Sequence, residues 1–282
     1  MPGTSDLPAN PGGRDFVLCH LTLPHLLPPE FISAAAEAGY QGVSLRLIPA
    51  NPPDERQLPM FGASPLLAET LARMRATGVY VGDIEVLKLE AEVDMAGLER
   101  VLETGARLSA RNLIAIAPDG VESRVVDNLG RVAELSASYG VRTCLESMIY
   151  MGVKTMAQAS RIIDQTGRGD IGMVIDPLHL DRASDRVADV AGLDPARIAS
   201  IQLCDAGPRP DPSDLETLVF ESRTQRLIPG TGTLPLQELL RVIPAGVPVE
   251  LEVPTVGLIG TMPDAEIAAM MRDAALAILA AG

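Results

Sequence analysis

Glu146, Asp176, Gln202 and Glu252 each stand where an apolar, β-branched run gives out, in TCLES, IGMVID, SIQLCDA and VPVELEVP. Core packing explains the Ile, Val and Leu residues of such runs, but a carboxylate at the end of a buried strand needs a partner. Any one of the four reads equally well as a cap or a rim ion pair. Ending successive strands, the four together read as oxygen ligands for a hard divalent cation. Mn2+ or Mg2+ suits the set better than Zn2+, because no thiolate is needed and only one imidazole is near. That imidazole is His179, three residues after Asp176 in the proline-marked turn IDPLHL, and it is placed just outside the ligand set. The chemistry indicated is that of a metal site at the end of the strands.

A second group of candidates follows Gln202. The stretch from Gly207 to Thr233 carries Glu221, Arg223 and Arg226 ahead of PGTGT. Arg223 and Arg226 suit a carboxylate, phosphate or enolate oxygen. Gly230 and Gly232 would let the backbone approach a ligand closely before a helix begins. The length of this loop, its prolines and its Arg pair predict that it lies over the site and orders around substrate. Glu85 and Lys88, on another strand-like run, are expected near the same rim, with Glu85 as a further substrate-site candidate. His20 and His25 read as core or surface histidines, and Cys19, Cys144 and Cys204, each inside an apolar run, as small buried hydrophobes.

These residues must be positioned by something regular. Strand-like runs begin at Phe16, Gly42, Val79, Asn112, Val141, Ile171, Arg197 and Val247. Between them lie helical patterns from Glu30, Pro65, Met95, the Asp119–Ser123 region, Thr155, Ala183 and Leu234, with a closing amphipathic helix from Asp264 to Ala280. Eight alternations in about 250 residues predict a single α/β domain, a (β/α)8 TIM barrel over residues 16–282, in which every polar strand end lies on one rim. An open doubly wound sheet is the runner-up, but G-x-G-x-x-G is missing after the first strand. Residues 1–15, rich in Pro, Gly and small polar residues, read as a flexible leader.

Composition narrows the partners. A net charge of -14 opposes a nucleic-acid backbone. The chain shows no apolar run of about 18 residues and no secretory leader. A soluble, cytoplasmic protein acting on a small molecule is expected, and a homo-oligomer stays open.

The order LES, IDPLHL, IQLCDA, RLIPGTG and ELEVP resembles the xylose isomerase-like TIM-barrel superfamily of sugar phosphate isomerases and epimerases. The resemblance covers nearly the whole chain after the leader. It implies a divalent metal held by Glu, Asp, His and Glu, mapping onto Glu146, Asp176, position 202 and Glu252. Position 202 is Gln where the family pattern has His. That departure, with the R-x-x-R-x-x-P-G-x-G loop, is similar to the bacterial 3-dehydroshikimate dehydratases of the same superfamily. Those enzymes imply His179 as base, whereas the epimerases imply Glu146 and Glu252 as an acid/base pair. Both mechanisms remove a proton α to a carbonyl of a polyhydroxylated substrate. The breadth of the motif set favours the isomerase or epimerase over the lyase. The rival from another class is a barrel that binds a sugar-like ligand without turnover. The endonuclease IV branch is excluded by 3 His and the negative charge.

Overall fold

Strands whose residues are buried on both faces need cover on both. In the computed structural model, which describes residues 13–49, 57–254 and 256–281, they get it by closing into a ring. The strands are β1 (Phe16–Cys19), β2 (Gly42–Arg46), β3 (Tyr80–Lys88), β4 (Asn112–Ile116), β5 (Arg142–Glu146), β6 (Gly172–Ile175), β7 (Ile198–Leu203) and β8 (Val249–Leu251). All pairings are parallel, and β1 pairs with β8 through Val17↔Glu250, which rules out the open sheet. The outer ring comprises α1 (Pro28–Glu37), α2 (Pro65–Thr77), α3 (Met95–Arg107), α4 (Glu122–Ser138), α5 (Met156–Gln165), α6 (Pro177–Arg182), α7 (Val187–Ala191), α8 (Leu215–Thr224), α9 (Leu236–Val242) and α10 (Asp264–Ala280). The chain is a single (β/α)8 barrel, as its alternation predicts.

Period-two alternation sorts each strand into two environments. Leu113, Ala115 and Leu145 join the large core between sheet and helices, while Ile114, Ile116 and Cys144 join a separate apolar cluster with Val86 and Val174. That second cluster fills one side of the barrel interior. The other side is polar: Ser44, Asp83, Ser200, Gln202 and Glu250 are each at most 1% exposed. Burial raises the carboxyls of both Asp83 and Glu250, and the facing Asp83 pushes Glu250 up further. A raised carboxyl stabilises the fold fully below the unfolded carboxylate range and loses that contribution as pH rises through its folded value. Glu250→Gln should therefore narrow the stability gap between about pH 5 and pH 8 in urea titrations, and an unaltered gap would count against a raised Glu250 carboxyl.

Several boundaries differ from the sequence expectation for local reasons. β1 stops at Cys19 and His20–Thr22 forms a 3-10 turn. Thr22 keeps the seam closed by donating to Leu251 O at 2.9 Å and accepting from Val253 N at 3.0 Å. The helix expected over Ala183–Ala191 begins only at Val187, as α7, and a separate helix α6 precedes it; Ser184, at φ 62°, separates the two. Residues 1–12 of the expected leader lie outside the described residues, as do residues 50–56. Arg14, placed within that leader, is 6% exposed and donates to Ile243 O and Pro244 O, both at 2.7 Å, at the end of α9. Cys19, Cys144 and Cys204 are all buried and unbridged; burial pushes the Cys204 thiol up to about 12, consistent with core cysteines. Among the described residues, no helix is long and apolar enough to cross a membrane.

Candidate active site

Asp176 is where strand chemistry becomes site chemistry. It directly follows β6 in extended geometry and caps α6, its Oδ1 accepting from Leu178 N at 2.7 Å and His179 N at 3.2 Å. Pro177, with no N–H to satisfy, suits the first helical position. The helix thus starts at the barrel rim and turns His179 back over Asp176. Nε2 of His179 lies 3.9 Å from Asp176 Oδ2 and 3.7 Å from Glu146 Oε1. Ligand atoms of Glu146, Asp176 and His179 all fall within 4.8 Å of one another. The imidazole expected just outside the ligands is therefore part of the buried cluster.

Arg226 supplies the counter-charge. It is 4% exposed, and its guanidinium spans Asp176 Oδ2 at 2.5 Å and Glu252 Oε2 at 2.7 Å. Burial alone would raise Asp176, but Arg226 and His179 outweigh it and hold that carboxyl below its usual range. Among the described residues, Glu146 has no such arginine contact. Burial, with Asp176 and Glu252 facing it, raises its carboxyl well above the ordinary value. His179 moves the other way: burial, aided by Arg226 and Arg182, lowers it to about 4 against the pull of Asp176. At neutral pH its ring is uncharged, and neither nitrogen has a hydrogen-bond partner among the described residues.

The test for a divalent cation is whether this donor set wants one. Three buried carboxylates face one guanidinium, and Glu146 Oε1 and Gln202 Oε1 lack hydrogen-bond partners among the described residues. Unmet oxygens and surplus negative charge fit a hard divalent cation. Gln202 is 1% exposed and pairs in register with Glu250, which places it inside the barrel one strand from Glu252.

The mouth above this cluster is a recess with about 460 Å³ of empty space, part of it open to solvent. Arg46, Glu85, Tyr150, Ser222 and Arg223 line it together with Glu146, His179, Arg226 and Glu252, and Leu21, Val86, Ile116, Met148 and Met151 form an apolar wall. Arg223 and Arg226 arrive here because the long seventh connection contains α8, a helix absent from the sequence reading. Asp214 caps it by accepting from Thr217 N at 3.0 Å. Prolines before the helix and its weak apolar periodicity hid it. Lys88 does not line the recess, whereas Glu85, three residues before it and one partner of Arg46 at 3.8 Å, does.

Gly230 and Gly232 make their close approach elsewhere. Their N–H groups donate to Asp205 Oδ2 at 3.0 and 2.9 Å, while Ala206 N and Leu234 N donate to Oδ1 at 2.8 and 3.0 Å. A Cβ on Gly232 would sit 2.3 Å from the Ala206 carbonyl oxygen and 2.4 Å from the Asp205 carboxylate, so only glycine fits there. The two glycines are not among the residues lining the recess. Asp205→Ala strands four N–H groups, each costing about 1–3 kcal/mol if it finds no water. We expect a loss of roughly 3 kcal/mol in denaturant unfolding; a loss under about 0.5 kcal/mol, the scatter of ordinary surface substitutions, would remove the pin.

Sequence reasoning missed Arg46, Tyr150 and Ser222. Arg46 ends β2 as Glu146 ends β5, and the same strand-end rule would have found it. Nothing in the sequence marks Tyr150 or Ser222, because the loop and helix that bring them together are fixed only by the fold.

Known proteins share this architecture. The structure of IolI protein with a bound zinc atom superposes with a TM-score of 0.77 at 17% identity, covering 95% of this chain and 98% of that one. The probable 3-DHS dehydratase AsbF of Bacillus anthracis gives 0.71 at 15% identity, covering 92% and 97%. At these identities the likeness establishes the fold. In sequence, an inosose isomerase of Halalkalibacterium halodurans is 26% identical over 125 residues, 44% of this chain, and the match spans only 42% of that relative. With the barrel, its rim cluster and a match that runs over residues 32–274, the chain belongs to the Xylose isomerase-like TIM barrel family.

Proposed function

We propose that this protein is a metal-dependent enzyme that removes a proton α to the carbonyl of a polyhydroxylated ketone, with His179 as the base. The observation that carries this reading is a buried, uncharged imidazole with both nitrogens unpartnered, set against a carboxylate cluster that fits a divalent cation. Glu146, Asp176, Gln202 and Glu252 would hold the cation. Mn2+ or Mg2+ suits these oxygens, and the zinc of IolI makes Zn2+ the alternative. When bound, such a cation supplies Lewis acidity to the carbonyl.

The chain's own residues do the rest. His179 takes the proton, since a base that is neutral at working pH and not already hydrogen-bonded has both lone pair and access. Arg226 holds Asp176 and Glu252 in place, keeping the Asp176 carboxyl low and opposing the upward push of burial on Glu252. Arg223, half-buried at the mouth, and Glu85 orient polar groups of the substrate, while the Leu21–Ile116–Met148 wall accepts the C–H face of its ring. A two-carboxylate shuttle would need Glu252 as a free acid or base, and its ion pair with Arg226 at 2.7 Å disfavours that. One base serves an isomerisation or the loss of a β-hydroxyl equally well. The reading therefore keeps both isomerase and dehydratase outcomes and narrows the mechanism to His179.

Incubation of metal-loaded protein in D2O with an inosose and with 3-dehydroshikimate tests it. Deuterium entering the inosose, or an aromatic product absorbing in the ultraviolet from 3-dehydroshikimate, is expected from one of them. Inertness towards both would set aside the proposed substrate class. Arg223→Ala should raise KM about tenfold, the worth of one charge-assisted hydrogen bond, with metal content and Tm unchanged. A lowered Tm with normal kinetics of the folded fraction would make Arg223 structural instead.

A further inference from the structure

Helix α8 is anchored beside the site through two contacts independent of the carboxylates. Glu221 accepts from Arg182 of α6, Nε at 2.9 Å and Nη2 at 2.5 Å. Ser222 meets Tyr150, which comes from the connection between β5 and α5. The Tyr150 hydroxyl lies 2.8 Å from Ser222 Oγ, and Ser222 Oγ lies 3.1 Å from Val219 O. A carbonyl can only accept, so the one Ser222 proton goes to Val219 and Tyr150 donates to Ser222. Burial raises the phenol to about 12, so it keeps that proton at neutral pH.

The same Tyr150 ring meets His179 edge-on, centroids 5.5 Å apart at 78°. No hydrogen bond among the described residues fixes the plane of that imidazole, so packing must do it. His179 and Arg182 share α6, and Ser222 and Glu221 share α8. Tyr150 stands between the two helices and touches both.

We propose that Tyr150 is a positioning residue: its ring sets the plane of His179, and its hydroxyl docks α8, the helix that delivers Ser222 and Arg223 to the mouth. The first half rests on His179 being the base; the docking half does not.

Amide hydrogen exchange of the full chain over residues 215–224 tests the docking. Tyr150→Phe and Ser222→Ala should each speed exchange about fivefold, the worth of one hydrogen bond of about 1 kcal/mol, and Tyr150→Leu more. Exchange equal to the parent in all three overturns the docking. The kinetic arm uses whichever ketone exchanges deuterium. Tyr150→Leu should lower kcat about tenfold or more with KM within about threefold, as a misaligned base does, while Tyr150→Phe, which keeps the ring, recovers most of kcat. Parent-like kcat in Tyr150→Leu, where His179→Gln abolishes turnover, overturns the positioning. If His179→Gln itself keeps turnover, the base assignment fails and the positioning half fails with it, and amide exchange still decides the docking half.

Discussion

Glu146→Ala is expected to lose stoichiometric divalent cation and ketone turnover together. Glu146 is 4% exposed, its Oε1 has no hydrogen-bond partner among the described residues, and it faces His179 Nε2 at 3.7 Å. Three carboxylates against Arg226 leave a surplus of negative charge that a divalent cation balances; the substitution removes part of that surplus and one oxygen ligand. Outer-shell partners of a metal are worth 10–100-fold in affinity, so loss of a ligand should cost at least about 100-fold. The metal-free variant has a second signature. Removing a buried carboxylate that faces two others relieves repulsion, so its Tm without metal should exceed that of the metal-free parent, and added metal should no longer raise it. Full stoichiometry by elemental analysis in Glu146→Ala would take Glu146 out of the ligand set.

His179→Gln should behave differently. The amide is of similar reach, and Glu146, Asp176, Gln202 and Glu252 remain, so metal content should match the parent within about twofold, less than the loss of even an outer-shell partner costs. Turnover should nevertheless fall by roughly 100-fold or more, the typical worth of a general base. A fall of only a few-fold would return the proton to Glu146 and Glu252 and favour the epimerase mechanism. Because burial lowers the imidazole to about 4, the parent should keep its base over the whole neutral range and lose activity only as pH falls towards that value.

The barrel was legible because its strands are unambiguous. Runs such as NLIAI and GMVI are buried on both faces and bounded by turn signals, and no helix hides in runs of that length. Strand-end polarity located Glu146, Asp176 and Glu252 for the same reason: in a parallel barrel, chain direction alone assigns the rim. What was not legible depends on geometry across the chain. That Arg226 would span Asp176 and Glu252 needs the α8 connection folded back by 50 residues, and the spacing of R-x-x-R offers no hint of it. The glycines of PGTGT carried a true signal of close approach, but sequence does not say to what; Asp205 answers it. His179 comes close to Glu146 and Asp176 because Pro177, read as part of a turn, opens a helix that folds the ring back.

The most direct measurement follows deuterium by NMR into a ketone substrate, using parent and His179→Gln protein loaded with Mg2+ to equal stoichiometry. The account predicts steady incorporation at the carbon beside the carbonyl with the parent and a rate lower by roughly 100-fold or more with His179→Gln at unchanged metal content. Incorporation at the parent rate in His179→Gln would contradict it.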